Sequence, residues 1–240
     1  MYMVTHKHVD YIPKGRTPIF VGNGNNLDGF LRDNTGVNIS EKNPYYCELT
    51  ALYWIWKNDH HSKYVSIEHY RRFFMKRNTN FAHPYKKSDM LNQLNSGNSL
   101  FIRPGKLDVS VKIDYCENHI ESDYLAMQDA IREIHPDYQE SFNKIMGSHG
   151  CSLFNMCAMD KSEFDLYCEW LFTLLFEIES KVSLNNRTSY QQRAFGFMAE
   201  RLLNVWVSRN ISKIHYCDVY YYEHNKVYSA LKSLKHEIRY

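Results

Sequence analysis

Apolar and polar positions along this chain switch between two periods, and the switches outline alternating strands and helices. Residues 1–5 read as a short strand that ends in Thr5-His6-Lys7, a polar tip suited to a nucleotide base or phosphate. Residues 10–33 are polar and rich in Gly and Asn, and read as loop. Leu49, Leu52, Tyr53 and Trp56 then fall at i, i+3, i+4 and i+7, one helical face, with Asn43 as N-cap and Pro44 in the first helical position. Val65 and Ile67 alternate with Ser66 and Glu68, the period of a strand. Further on, residues 86–95 read as helix. Residues 99–103 and 107–113 read as strands about a Pro104-Gly105 turn. Residues 123–134 form a helix stopped before Pro136, and 151–159 a short buried strand. Apolar stripes over 164–178 and 191–208 predict two long helices. An aromatic strand over 213–222 and a basic-leaning helix over 226–240 complete the chain. This alternation predicts an α/β protein built on a sheet.

Two blocks carry candidate chemistry. The strand at 64–69 runs into His69-Tyr70-Arg71-Arg72. Adjacent guanidiniums repel unless an anion sits between or above them, and a diphosphate meets that need because Arg forks bind phosphate oxygens bidentately. Ligands of open α/β sheets bind at the carboxyl ends of strands, where this cluster falls. The competing reading is a surface Arg pair held by carboxylates, the commoner fate of such pairs. Further along, Arg193, Gly196 and Glu200 share one helical face. Either Gly196 opens a pocket in which Arg193 binds an anion and Glu200 accepts a proton, or Arg193 and Glu200 staple the helix and Gly196 allows close packing. Glu48, among apolar neighbours, is a solvated acid or a buried hydrogen-bonding group; spacing does not decide.

Bulk properties narrow the classes. The chain has 240 residues, 44% hydrophobic and 23% charged, with a formal net charge of +2, so no general affinity for polyanions follows. Nineteen Tyr and thirteen Phe are a high aromatic load, most of it expected in the core. The six cysteines form no Cys-x-x-Cys pair, which argues against a zinc cluster. The first residues do not resemble a signal peptide, and no apolar run reaches membrane-spanning length. The expected compartment is the cytoplasm, with free thiols.

The blocks Asp33-Asn34-Thr35-Gly36, Asn38-Ile39-Ser40, Lys42-Asn43, Tyr46-Cys47-Glu48-Leu49-Thr50-Ala51-Leu52-Tyr53-Trp54, Trp56-Lys57-Asn58 and His69-Tyr70-Arg71-Arg72 resemble a bacterial family long labelled a domain of unknown function. Its members occur in capsular and exopolysaccharide gene clusters and are treated as glycosyltransferases. Asn155-Met156, Tyr167, Trp170-Leu171-Phe172, Arg193, Phe195-Gly196-Phe197 and Ala199-Glu200-Arg201-Leu202-Leu203 follow in the expected order, so the resemblance runs from Val4 to about Val207. Val37 stands where a polar or acidic residue is common, a departure that touches only that side chain.

The resemblance implies a GT-A-like nucleotide-sugar-binding fold, a central mixed sheet flanked by helices, as a single domain over 1–240 with a helical C-terminal part from about 160. It implies transfer of a hexose, galactose in pyranose or furanose form first, from a nucleotide-diphosphate sugar, UDP first. The acceptor would be a growing lipid-linked capsular, exopolysaccharide or O-antigen glycan, reached by peripheral contact with the inner face of the plasma membrane. Donor-binding candidates are Thr5 and His6, then Asp33, Asn34, Asn38, Ser40, Lys42 and Asn43 in the loop, and Tyr70, Arg71 and Arg72 at the strand tip. Glu200, His69 and Arg193 are the catalytic candidates. Inversion, favoured over retention, needs a base for the acceptor hydroxyl; Glu200 comes first, with Glu68 or Asp33 next. Relatives of this fold often hold a divalent metal with Asp-x-Asp, which this chain lacks. Fixed cations can supply the same charge, so no cofactor is favoured; manganese or magnesium on Asp33, Asp114 and His149 is the alternative. A non-catalytic carbohydrate- or nucleotide-sugar-binding protein is the alternative function. A nucleic-acid module fits poorly with near-neutral charge and one basic cluster.

Overall fold

The computed structural model describes residues 1–26, 28–78, 81–223 and 225–237. Its strands, numbered along the chain, are β1 (Tyr2–Thr5), β2 (Thr17–Phe20), β3 (Leu31–Arg32), β4 (Tyr64–His69), β5 (Arg72–Asn78), β6 (Phe81–Pro84), β7 (Ser99–Ile102), β8 (Gly105–Lys106), β9 (Gly150–Cys151), β10 (Cys157–Asp160) and β11 (Ile214–Tyr221). Its helices are α1 (Asn43–Tyr46), α2 (Leu49–Asn58), α3 (Lys87–Asn95), α4 (Val111–Asn118), α5 (Glu121–Ile134), α6 (Gln139–Gly147), α7 (Lys161–Lys181), α8 (Ala194–Asn210) and α9 (Lys226–Glu237).

Among the described residues, nine strands form one mixed sheet in the order β3-β2-β1-β4-β10-β7-β11-β5-β6. The strands from β3 to β4 are parallel, and β10 then runs antiparallel to both β4 and β7. The chain leaves β1 outward through β2 and β3, then returns through α1 and α2 to place β4 on the other side of β1. Such a reversal opens a crevice at the carboxyl ends of the two diverging strands. One face of the sheet presents Val4, Val65, Ile67, Cys157 and Met159 to a helical layer that includes Leu52, Phe164, Leu171, Phe195 and Leu202. On the other face Leu100, Ala158 and Cys217 pack with Met90 and Leu94 of α3. Both faces are therefore covered. Ser66 and Glu68, the polar half of the β4 alternation, are consequently buried rather than solvated.

The structure departs from the sequence expectations in four places. Residues 10–33 are not all loop, because β2 and β3 pair within them. They escape a pattern reading because β2 has four residues, one of them Pro18, and β3 only two. Residues 107–113 are not a strand. Ser110 caps α4, accepting the Ile113 N–H at 3.3 Å, and this local capping prevails over the alternation of Val109, Val111 and Ile113. Residues 151–159 divide into β9 and β10 around a loop with positive φ at Phe154 and Asn155. Asn43 lies inside α1, not at its cap, and its amide donates to the Cys47 carbonyl at 2.8 Å and the Thr50 hydroxyl at 3.2 Å. The aromatic strand expected over 213–222 is β11, which inserts into the sheet between β7 and β5 and so interrupts the helical part that begins near 160. The last three residues of the 226–240 expectation lie outside the described residues. Among the described residues no helix is long and apolar enough to cross a membrane. All six cysteines are free thiols.

Candidate active site

A cavity of about 770 Å³ occupies the crevice at the carboxyl ends of β1 and β4. Thr5 and His6 form one lip, and His69 to Arg72 form the other. The β4–β5 turn at Tyr70-Arg71 is tied on both sides: Tyr70 N–H donates to the Val4 carbonyl, and Tyr222 N–H to the Arg71 carbonyl, each at 3.0 Å. The adjacent guanidiniums are thus carried on anchored backbone. Arg71 packs over Tyr70 at 5.1 Å, and Arg72 over Phe154 at 4.4 Å. Arg72 Nε is buried without an acceptor. Among the described residues neither Arg71 nor Arg72 pairs with a carboxylate, so the reading of a carboxylate-held surface pair fails. Thr5 is buried and shapes the turn after β1, its hydroxyl donating to the Lys7 carbonyl at 2.7 Å. His6 meets Tyr70 edge-on, and burial, with Lys7 and Arg71 nearby, lowers its pKa.

The opposite wall is acidic. Glu200 of α8 accepts the Phe154 N–H at 2.8 Å and the Arg201 guanidinium at 2.9 Å. Burial pushes its carboxyl up to about 7, helped by Glu48 and opposed by Arg201 and the Phe154 N–H. Its side chain keeps 15% exposure to the cavity. Glu48, left open by the sequence, lines the same wall and accepts the Asn155 amide at 2.8 Å. His69 donates from Nε2 to the Phe154 carbonyl at 2.6 Å, which fixes its tautomer when neutral, and burial lowers its pKa. Phe154 therefore positions three groups: its N–H holds Glu200, its carbonyl holds His69 and its ring supports Arg72.

Arg193 and Glu200 share the cavity but do not pair. Arg193 Nε donates to the Cys47 thiol at 3.2 Å, and burial lifts that thiol to about 11. Gly196 does not line the cavity. A Cβ there would meet Cys47 Sγ at 3.5 Å, an ordinary contact, so this glycine serves close packing of α8 against the α1–α2 corner. That corner turns at Cys47, with φ 52°. Three of the four non-glycine residues with positive φ among the described residues, Cys47, Phe154 and Asn155, line or brace this one cavity. Such conformations cost of order 1–3 kcal/mol each and gather at functional sites.

At the far end His119, Phe197 and Tyr190 build an aromatic shelf. His119 stacks on Phe197 at 4.1 Å, and Tyr190 lies 5.0 Å from the same ring. Burial, with Arg201 nearby, lowers His119 to about 4, so it sits there as a neutral ring. These three, with Glu48, Phe154 and Arg201, are cavity residues to which the sequence reading gave no site role. They come from five separate segments, and only the fold brings them together.

The loop candidates go elsewhere. Asp33, Asn34, Asn38, Ser40 and Lys42 do not line the cavity, whereas Asn43 does. Asp33 is fully buried, and burial raises its pKa against the opposing Thr50 hydroxyl and Arg32. Asn34 is exposed. Asn38 accepts from the Ser40 N–H and hydroxyl, closing a turn. Lys42 pairs with Glu179 at 2.6 Å. Gly36, at φ 54°, lies where a Cβ would meet the Asn58 amide oxygen, the acceptor of the Val37 N–H, so only the Val37 backbone is used. Glu68, the second choice as base, is enclosed. Arg16 donates to it from Nε at 2.7 Å and from Nη2 at 3.3 Å, and Phe74 N–H at 2.8 Å.

Among the described residues no three of His, Cys, Asp and Glu converge into a group that could hold a metal ion by protein ligands alone. Asp114 lines the cavity but faces Arg201 at 3.3 Å, while His149 is exposed outside it. The chain belongs to the family described as Domain of unknown function (DUF4422), whose model matches residues 1–211. It is also similar to the apo structure of the bifunctional glycosyltransferase WbbM, with a TM-score of 0.84 and 27% identity over 93% of this chain. The match covers 45% of that structure's chain, so this protein spans less than half its length. No functionally curated protein matches.

Proposed function

We propose that this chain is a glycosyltransferase of GT-A-like architecture that moves a hexose from a nucleotide-diphosphate sugar to a glycan hydroxyl. The observation that carries the reading is the pairing, in one cavity, of guanidiniums without a carboxylate partner with a largely enclosed carboxyl that is raised to about 7 and faces the cavity. The similarity to a glycosyltransferase structure supports it. Arg71 and Arg72 bind the diphosphate, with Arg193 across the cavity. Glu200 takes the acceptor proton as the acceptor oxygen bonds to the anomeric carbon. The bond from that carbon to the diphosphate oxygen breaks, and its electron pair leaves on the nucleoside diphosphate. Fixed cations stabilise that departing charge without reorganisation. A base with a pKa near the working pH suits the proton transfer, and a single displacement of this kind inverts the anomeric centre. UDP and galactose are the first donor to test, and a lipid-linked glycan at the inner membrane face the first acceptor. The shelf of His119, Phe197 and Tyr190 offers ring faces for a base or a sugar.

A panel of nucleotide sugars tests the proposal by thermal shift and donor hydrolysis. A ligand that binds only the folded state at a hundred times its Kd adds about 2.7 kcal/mol of stability. A UDP-hexose that raises Tm and is slowly hydrolysed supports the reading. No shift and no turnover with any nucleotide sugar overturns it. Binding without turnover, with or without a glycan acceptor, leaves a sugar-nucleotide-binding protein instead.

A further inference from the structure

Across Leu153 and Phe154, back to back with the main cavity, lies a second one of about 230 Å³. Ile102 and Val219 form its floor, and the rings of Phe154 and Tyr221 meet edge-on at 6.5 Å in its wall. Its rim carries one ion pair, Arg103 Nε donating to Asp218 at 2.9 Å, with side chains 58% and 25% exposed. Ser233 closes it from α9, with its hydroxyl accepting the Tyr221 N–H at 2.9 Å. Nothing in the chemistry proposed above uses this space.

Its chemistry is selective. The volume falls below the roughly 300–1,000 Å³ of sites for drug-sized ligands, which is too small for a nucleotide. It equals about eight waters at liquid density, room for one ring. A wholly apolar guest would desolvate the Arg103–Asp218 pair without replacing its hydrogen bonds, which is costly. A phosphate would face Asp218. A sugar ring satisfies both parts: its C–H face lies on Phe154 and Tyr221, while neighbouring hydroxyls donate to Asp218 and accept from Arg103. Phe154 is pinned through its N–H to Glu200 and through its carbonyl to His69, so its ring is a fixed partition between the two cavities.

We propose that the second cavity holds a sugar ring of the acceptor glycan, beyond the ring that reacts over Glu200. The proposal rests on the glycosyl-transfer reading for the word acceptor, and on the cavity alone for the sugar. The test is ligand-observed NMR with methyl β-galactopyranoside, methyl β-glucopyranoside and methyl α-mannopyranoside, each with and without saturating UDP. Wild type, Asp218→Asn and Arg103→Ala are compared, with Tm measured on each; Arg103 is on the exposed rim, so its variant decides if Asp218→Asn unfolds. At least one glycoside is expected to bind, to remain bound beside UDP, and to weaken about tenfold or more in the folded variants, the loss of one charge-assisted hydrogen bond. No glycoside binding, binding indifferent to both substitutions, or displacement by UDP overturns the proposal. If UDP fails to bind while glycoside binding still depends on Asp218 and Arg103, the nucleotide-sugar reading falls and the sugar cavity stands.

Discussion

Glu68 on β4, fully buried, and Glu200 on α8, largely enclosed, both stand beside a guanidinium, and in both burial raises the carboxyl pKa. Glu68 is sealed. Arg16, itself buried, is held by both Glu68 oxygens and by the Tyr85 carbonyl at 2.7 Å, and neither side chain of the pair has any exposure. Glu200 has fewer donors and a face on the cavity. A carboxyl enclosed by donors and cut off from solvent stabilises one arrangement of the fold and has no partner with which to exchange a proton. A charge left partly paired at a cavity wall is kept near its titration point, where it can accept a proton and give it up. The difference lies in the number of donors and the access to the cavity, not in residue type.

The largest expected effect is on Glu200. Glu200→Gln keeps the shape and removes the basicity, and turnover is expected to fall by roughly 10²–10⁴-fold with nucleotide affinity near wild type. A variant that keeps its turnover but loses stability would make Glu200 a second Glu68. Next, Arg16→Ala strands a buried carboxylate and is expected to cost about 3–5 kcal/mol. For a chain of this size that is a fall in Tm of about 6–20 °C, read by calorimetry. Nucleotide affinity of the folded fraction should stay unchanged.

The pH dependence of stability sharpens the contrast. A carboxyl raised from 4.5 to about 7 in the folded state costs nothing while both states are protonated, and stability is lost as pH climbs from about 4.5 to 7. The loss from Glu200 is about 3 kcal/mol. It is expected to vanish in Glu200→Gln, so the difference between the two Tm profiles isolates it from Glu68; parallel profiles would refute it. Smaller again, Arg71→Ala and Arg72→Ala should each weaken nucleotide-diphosphate binding by about 1.5–3 kcal/mol in titration calorimetry, with the fold intact. The smallest expected effect is that of excess chelator, which should leave turnover unchanged. If manganese or magnesium restores a turnover that chelator has abolished, Asp114 regains a place as ligand.

What the sequence disclosed follows from how local each feature is. Long helices such as α7 and α8 repeat their apolar face many times, so their period is plain. The strands β2 and β3 offer four and two residues and depend on neighbours from other segments, which no window contains. At the site, His69 to Arg72 stand out because four chemically active residues adjoin. Glu200 stood out for its spacing from Arg193, yet its partners are Arg201 and the backbone of Phe154. The polar loop 33–43 attracted donor-binding roles through its composition, but apart from Asn43 its side chains turn away from the cavity. Glu48 meets Glu200 only because the α1–α2 corner and α8 pack together, a fact of tertiary structure alone.

The position of β11 bears on where this module can be cut. The family match ends at residue 211, three residues before a strand that lies between β7 and β5 and whose continuation, at Tyr222, ties the Arg71 turn. An expression boundary drawn at 211 would leave two open strand edges in mid-sheet, the kind that recruit other chains. It would also remove one of the two tethers of the cationic turn. Fusions and domain transplants therefore need to carry the chain past Tyr222, and a truncate ending at 211 should self-associate before its nucleotide affinity can be read.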